Sequence, residues 1–194
     1  MHSNTVINIL DMLDSIGEDA VKEIISDFSC PLNNEIEYFL FNNAIDFAKR
    51  KMSVTYLVFD EINRLTGYFT LTHKTALVAQ SSLSKTGQKK MSMHARLDEN
   101  LCGYDVSAFL IAQFGKNYAV ENGSSISGDS LMDEVFDMLT EAQHIVGGGV
   151  AFLECENNDK LLSFYQNDNN RFRLYGERKS EKEGKVYLQL LRFF

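Results

Sequence analysis

The chain has 194 residues, 44% of them hydrophobic and 24% charged: an ordinary globular composition with enough apolar material for one sizeable core, so a single domain over residues 1–194 is expected, residues 1–33 forming a helical preamble. The net charge of −8 excludes a surface built mainly to neutralise nucleic-acid phosphates, which needs clustered Lys and Arg. No run approaches the ~20 apolar residues of a membrane span, and the first residues lack the basic start and apolar block of a secretory leader, so a cytoplasmic protein without membrane contact is expected.

Cys30, Cys102 and Cys155 are far apart and odd in number, with neither a CxxC pair nor a His at ligand spacing, and read as buried thiols rather than a disulfide framework or a metal site. There is no repeat or low-complexity tract, and the single proline, Pro31, falls between two helical patterns.

In chain order, Thr5–Phe28 places apolar residues at helical spacing with a break at Ser15-Ile16-Gly17, and a second helix is predicted from Asn33 or Asn34 to about Arg50, with Asn as its cap. Residues 54–73 hold two runs rich in Val, Tyr, Phe, Leu and Thr around the polar turn Asp60–Arg64, the pattern of a β-hairpin. From Ser81 to Asp105 neither period persists, and a loop with one short helix is expected. The apolar run within Tyr104–Asn117, most continuous over 106–114, reads as a central strand covered on both faces. The segment after it carries Leu131, Val135, Met138, Leu139, Ala142 and Val146 at helical spacing, with Ser125 or Ser127 to cap the start and Gly147 to stop the end. A strand over Gly147–Glu154 follows a crossover of βαβ length and is expected to run parallel to the preceding strand. Asn158 caps a further helix carrying Leu161, Leu162, Phe164 and Tyr165, and two alternating runs joined by a basic loop close the sheet. Arg171, Arg173, Arg178, Lys179, Lys182 and Lys185 make this last quarter locally basic, diluted by Glu177, Glu181 and Glu183, as in a solvated hairpin loop.

Small residues before a helix N-terminus let an anion approach backbone N–H groups, so the loop Asn122–Asp129 can cradle a phosphate or merely cap its helix. Tyr165 is either a packing residue or a proton donor. His94 in a polar loop reads as solvent-exposed, and Glu154 and Glu156, flanking Cys155, as solvated carboxylates on the opposite face from the thiol.

The order of hairpin 54–73, strand 106–114, loop and helix 122–146, strand 150–155 and the stretch "NDKLLSFY" resembles the GCN5-related N-acetyltransferase family, over most of the chain from about Ile36 onward. Asn158, Leu161, Phe164 and Tyr165 occupy the places of the family's N-x-x-A-x-x-F-Y pattern. The resemblance implies an α/β fold with a mixed, mostly antiparallel sheet of six or seven strands, helices on both faces and a V-shaped opening between two central strands. It implies an acetyl-CoA-dependent N-acetyltransferase with no metal. Acetyl-CoA would lie along Leu110–Phe114, against Ile111, Ala112, Gln113 and Phe114, and over Ser124, Ser125, Ile126, Ser127, Gly128 and Asp129. Asn158 would stand beside the pantetheine arm.

In that chemistry an amine attacks the thioester carbonyl, a backbone N–H of the splayed strand holds the oxyanion, and Tyr165 protonates the departing thiolate. The family's pyrophosphate signature, R/Q-x-x-G-x-G/A, falls on "ENGSSISG", where Glu121 stands at the basic or amide position, Ser124 at the first glycine and Ile126 at the second. After Tyr165 the family's Asn-Gly-Phe turn is replaced by "QNDNNRF", in which Asn169 or Asn170 is expected to take the left-handed conformation. No acid falls within Val106–Phe114, so water, a strand carbonyl, Asp60 or Glu61 must serve as base, water first.

The helical preamble and the "LECEN" before the Tyr resemble small bacterial and mobile-element members, some of them toxins that act on aminoacyl-tRNA. The acceptor amine could belong to a small molecule, a protein or an aminoacyl-tRNA, and a homodimer is compatible with the sequence. Two other classes compete: a non-catalytic coenzyme A-binding or interaction module, and a nucleic-acid-associated protein using the basic tail. Binding of acetyl-CoA discriminates the first, and salt-dependent RNA binding the second.

Overall fold

The computed structural model describes residues 4–119, 126–181 and 184–194. The chain divides into two compact units, one comprising Met1–Thr72 and Ile111–Asp137, the other His73–Leu110 and Met138–Phe194. No described helix is long and apolar enough to cross a membrane.

The first unit opens with a short strand, β1 (Thr5–Asn8), where a helix was expected from the apolar spacing. Thr5, Val6 and Ile7 are β-branched and suit an extended backbone, and β1 pairs antiparallel with β2 (Val54–Phe59), Thr5 opposite Phe59 and Asn8 opposite Tyr56. Asn8 then ends the strand and caps α1 (Ile9–Ile16), its side chain accepting from the Leu10 amide. The expected break falls at Gly17, whose φ of 83° is costly for any residue with a Cβ, before α2 (Glu18–Ser26).

Asn33 caps α3 (Asn34–Asn42) as expected. The single helix predicted to reach Arg50 is instead two, because Asn43 leaves helical geometry (φ −120°) ahead of α4 (Ala44–Lys49); Asn competes with its own backbone for hydrogen bonds and is a weak helix interior. β2 and β3 (Leu65–Ala79) form the expected hairpin. Its turn is locked by Asp60, which accepts from the Ile62 and Arg64 amides and pairs with the Arg64 guanidinium at 2.8 Å. Ile9, Val21, Leu40, Ala48, Leu57 and Tyr68 are fully buried in this unit's core.

In the second unit the ambiguous stretch resolves into a 3-10 turn (Gln80–Ser82), α5 (Lys85–Met91) and a two-residue strand, β4 (Leu97–Asp98), paired with β5 (Gly103–Lys116). Cys102, expected to be buried, is exposed in the turn between β4 and β5 at φ 48°. Gly103 beside it is required by close packing, since a Cβ would meet the Val78 carbonyl oxygen at 2.8 Å.

After β5 comes α6 (Gly128–Val146), then β6 (Val150–Glu156), α7 (Asp159–Tyr165), β7 (Arg173–Ser180) and β8 (Lys185–Phe193). β6 runs parallel to β5, as the crossover length required, and pairs antiparallel with β8, which pairs with β7. This unit's core gathers Val78, Met91, Val106, Ala108, Val150, Phe152, Tyr175 and Leu191.

The strands form one sheet of eight in the order β1-β2-β3-β5-β6-β8-β7, with β4 on β5. β1 and the two-residue β4 are the strands that periodicity did not reveal. Among the described residues the β5–β6 register covers two pairs, Phe109 with Ala151 and Leu110 with Phe152, whereas β6 pairs with β8 over its full length, Val150 to Glu156.

Candidate active site

In the first unit, Ile111 of β5 is buried while Ala112, Gln113 and Phe114 are half-buried. At the other end of the connection Ile126, which stands where a glycine would serve the phosphate signature, is buried at 7% exposure and acts as an apolar anchor. Ser127 caps α6: its hydroxyl accepts from the Ser130 amide at 2.9 Å and its carbonyl from Leu131. Gly128 and Asp129 form the first turn. Ser124 and Ser125 lie outside the described residues.

Sequence reasoning missed Asn117, directly after β5 and 2% exposed. Its amide nitrogen donates to the Asp27 and Leu65 carbonyls (3.1 and 2.8 Å), and its oxygen accepts from the Ser29 and Ala119 amides (2.9 and 3.0 Å). Its own backbone N–H donates to Thr66. Every polar atom of the side chain is used, as burial demands, and the chain's exit from β5 is thereby fixed to α2's end and to β3. The available signal was a lone Asn ending an apolar strand just before a Gly/Ser loop.

In the second unit, Asn158 caps α7 as expected, its side-chain oxygen accepting from the Lys160 amide at 2.9 Å. Seven residues on, Tyr165 sits in the last turn, 8% exposed, its ring edge-on to Phe164 (5.0 Å) and Phe172 (6.0 Å). Burial holds the Tyr165 hydroxyl well above the ordinary phenol range, and the nearby Cys155 adds to that. Among the described residues no group hydrogen-bonds to this hydroxyl. Burial also pushes the Cys155 thiol up to about 11, with Glu156 contributing.

The turn after α7 departs from expectation. The left-handed residue is Arg171 (φ 54°), not Asn169 or Asn170. Asn170 is fully buried instead, donating from its side chain to the Phe164 carbonyl and from its backbone to the Asn167 side chain. With those bonds made, the turn closes one residue later.

Of the two carboxylates expected to be solvated, Glu156 is exposed as expected and Glu154 is placed otherwise. Glu154 is not merely solvated: Arg178 reaches it through Nε and a terminal nitrogen at 2.7 Å, and Gln189 at 2.8 Å. Burial opposes its ionisation, but Arg178 and Gln189 together prevail and hold its carboxyl below the ordinary range. Glu156 pairs with Lys185 at 2.7 Å. Asp60, half of the hairpin-end base pair of candidates, is committed to its turn; burial is outweighed by the Arg64 and Ile62 hydrogen bonds, which lower its pKa and make it a poor proton acceptor. His94 is exposed, as expected, and lies over Phe193 at 6.0 Å. Among the described residues no three His, Cys, Asp or Glu side chains gather as metal ligands would.

A long central β5, the crossover α6, a parallel β6 and a short helix ending in Tyr165 define the GCN5-related N-acetyltransferase fold, and comparison with solved structures shows that fold here. The chain is similar to AtaT complexed with acetyl-methionyl-tRNAfMet: 18% identity, 99% of this chain and 94% of that one covered, TM-score 0.64. It is similar to a Tyr-to-Phe mutant of KacT (19% identity, 98% and 94% covered, TM-score 0.63) and to AtaTR bound with acetyl-CoA (15% identity, 98% and 92% covered, TM-score 0.59). Neither a protein-family model nor a curated protein matches the chain.

Proposed function

We propose that the protein is an acetyl-CoA-dependent N-acetyltransferase acting on a primary amine, with Tyr165 as the proton donor. The observation that carries this reading is the position of Tyr165: a phenol without a hydrogen-bond partner among the described residues, at the end of the helix that follows β6. The fold it belongs to is shared, over nearly the whole chain, with a protein bound to acetyl-CoA.

In the proposed reaction the amine nitrogen attacks the thioester carbonyl and the carbon–sulfur bond breaks. The ammonium nitrogen of the tetrahedral adduct gives a proton to water, the adduct collapses to the amide as the sulfur leaves and takes the phenol proton, and the phenolate is reprotonated from water. A phenol whose pKa is raised by burial is fully protonated at neutral pH. It is also a weaker acid, but burial raises a thiol's pKa too, as Cys155 illustrates. The transfer is therefore less uphill than a comparison with a solvated thiol near 8.5 implies. The base reading kept is water, since the lowered pKa of Asp60 makes that carboxylate a poor proton acceptor.

Ile111, Ala112, Gln113 and Phe114 would line the acyl and pantetheine path, the Ser124–Asp129 segment would meet the pyrophosphate, and Asn158 would stand beside the pantetheine arm. Ser127 would then offer backbone N–H donors more than its hydroxyl, which the helix already uses. The acceptor class is favoured by one comparison: AtaT is complexed with acetyl-methionyl-tRNAfMet, so an aminoacyl-tRNA α-amine is the first acceptor to test.

The test is acetyl transfer, followed as free thiol released from acetyl-CoA with aminoacyl-tRNA and small amines as acceptors, in wild type and Tyr165→Phe. Saturable turnover that collapses in the variant while acetyl-CoA still binds supports the reading. A protein that binds acetyl-CoA yet transfers nothing to any acceptor would be the non-catalytic module instead.

A further inference from the structure

The second unit holds a cavity of about 450 Å³ between α5, the turn after α7, and strands β7 and β8, and Lys90, Arg171, Arg173 and Arg192 all line it. Its volume is within the range of small-ligand sites, roughly 300 to 1,000 Å³. Among the described residues, no acidic side chain lines it. In a chain of net charge −8, this is a local inversion of sign.

The ion pairing elsewhere sharpens the contrast. Lys22, Lys49, Arg50, Arg64, Arg178 and Lys185 each meet a carboxylate within 4 Å, whereas among the described residues Lys90, Arg171 and Arg173 meet none. Three of the four cations are set in place by neighbouring rings or carbonyls. Lys90 Nζ lies 6.0 Å from the centre of the Phe193 ring. Arg192 lies over the Phe194 ring at 5.1 Å and donates to the Asn169 and Asn170 carbonyls. Arg171 donates to the Asp168 carbonyl from its left-handed position, and Arg173 is carried by β7, opposite Leu191.

Like charges around one concavity repel one another, and that cost is offset when an anion enters. Guanidinium forks match phosphate oxygens in geometry as well as charge. The Tyr175 ring and the hydroxyls of Ser82 and Thr86 in the same lining provide a mixed apolar and polar wall beside the cations.

We infer that this cavity binds the phosphate of a nucleotide-sized phosphate ester, through residues other than those proposed to meet the pyrophosphate of acetyl-CoA. The inference does not depend on the transferase reading. The phosphate could be carried by a free nucleotide or by the end of an RNA strand, and the experiment separates these sources.

The full chain is titrated calorimetrically with AMP, with inorganic pyrophosphate and with a short 5′-phosphorylated oligoribonucleotide, in low and in physiological salt. Lys90→Gln and Arg173→Gln are titrated alongside; both side chains are exposed, so their melting curves should match wild type. We expect saturable binding of at least one probe, weakened about tenfold or more by each substitution and by added salt, a tenfold loss corresponding to ~1.4 kcal/mol. Acetyl-CoA titration should be unchanged in both variants. Binding of AMP or pyrophosphate identifies a free phosphate ester as sufficient, and binding of the oligonucleotide alone identifies RNA as the carrier. Absence of saturable binding for all three probes, or binding that survives both substitutions, overturns the inference.

Discussion

The Phe172 amide donates to the Tyr165 carbonyl at 2.9 Å while the two rings meet edge-on, their centres 6.0 Å apart at 78°. One residue is thus held by backbone and ring together, at the end of α7, with its hydroxyl left for other chemistry. Tyr165→Phe keeps both contacts and removes only the donor. We expect its melting temperature to stay within a degree or two of wild type while kcat falls about 100-fold or more, the low end of what a positioned acid contributes. An unchanged kcat would return Tyr165 to the role of a packing residue.

Asn117 tests whether the exit from β5 matters to the cofactor. In Asn117→Ala, two amides and two carbonyls lose their side-chain partner, and a loss of about 2–4 kcal/mol in urea unfolding is expected. Acetyl-CoA should bind more weakly than in wild type at temperatures where the variant is still folded, because the chain entering the Ser124–Asp129 segment is no longer fixed. Equal affinity in the folded variant would confine Asn117 to structure.

The cap at Asn158 separates helix stability from ligand contact. Asn158→Ala should cost about 1 kcal/mol, read as a fall of ~2–4 °C in Tm for a chain of this size. Asn158→Asp retains the oxygen that accepts from Lys160 and should restore the melt. If acetyl-CoA binding nonetheless weakens in Asn158→Asp, the amide itself meets the pantetheine arm.

Alkaline pH should destabilise the fold. Burial raises the pKa of Tyr68, Tyr165, Tyr175, Cys30 and Cys155, so the unfolded chain gives up these protons first and binds fewer of them. Stability then falls as pH rises, beginning near the unfolded thiol value of ~8.5 and steepening above the phenol value of ~10. The urea midpoint should drop between about pH 8 and 10.5. Tyr68→Phe, which removes a buried hydroxyl donating to the Ile36 carbonyl at 2.7 Å, should flatten that dependence. A midpoint independent of pH over this range would show that the thiols and phenols titrate alike in both states.

Local signals carried the sequence reading furthest. The 54–73 hairpin, the central strand, the helix ending at Gly147 and the caps at Asn33, Ser127 and Asn158 depend on periodicity and on side chains bonding to amides two or three residues away, and these interactions are written within a dozen residues. The order of those elements and the spacing of Asn158 to Tyr165 were enough to indicate the fold. What the tertiary structure alone decided involves partners distant in sequence. Residues 5–8 are a strand because β2 offers them an edge, and Glu154 is a paired carboxylate because Arg178 and Gln189 face it across the register of β6, β8 and β7. Asn117 serves segments as far as 90 positions away, and Lys90 shares a cavity with arginines some eighty residues further on. Hydrophobic period reports which face a residue turns inward; which charge, amide or ring it meets there is set only when the sheet brings separate segments into register.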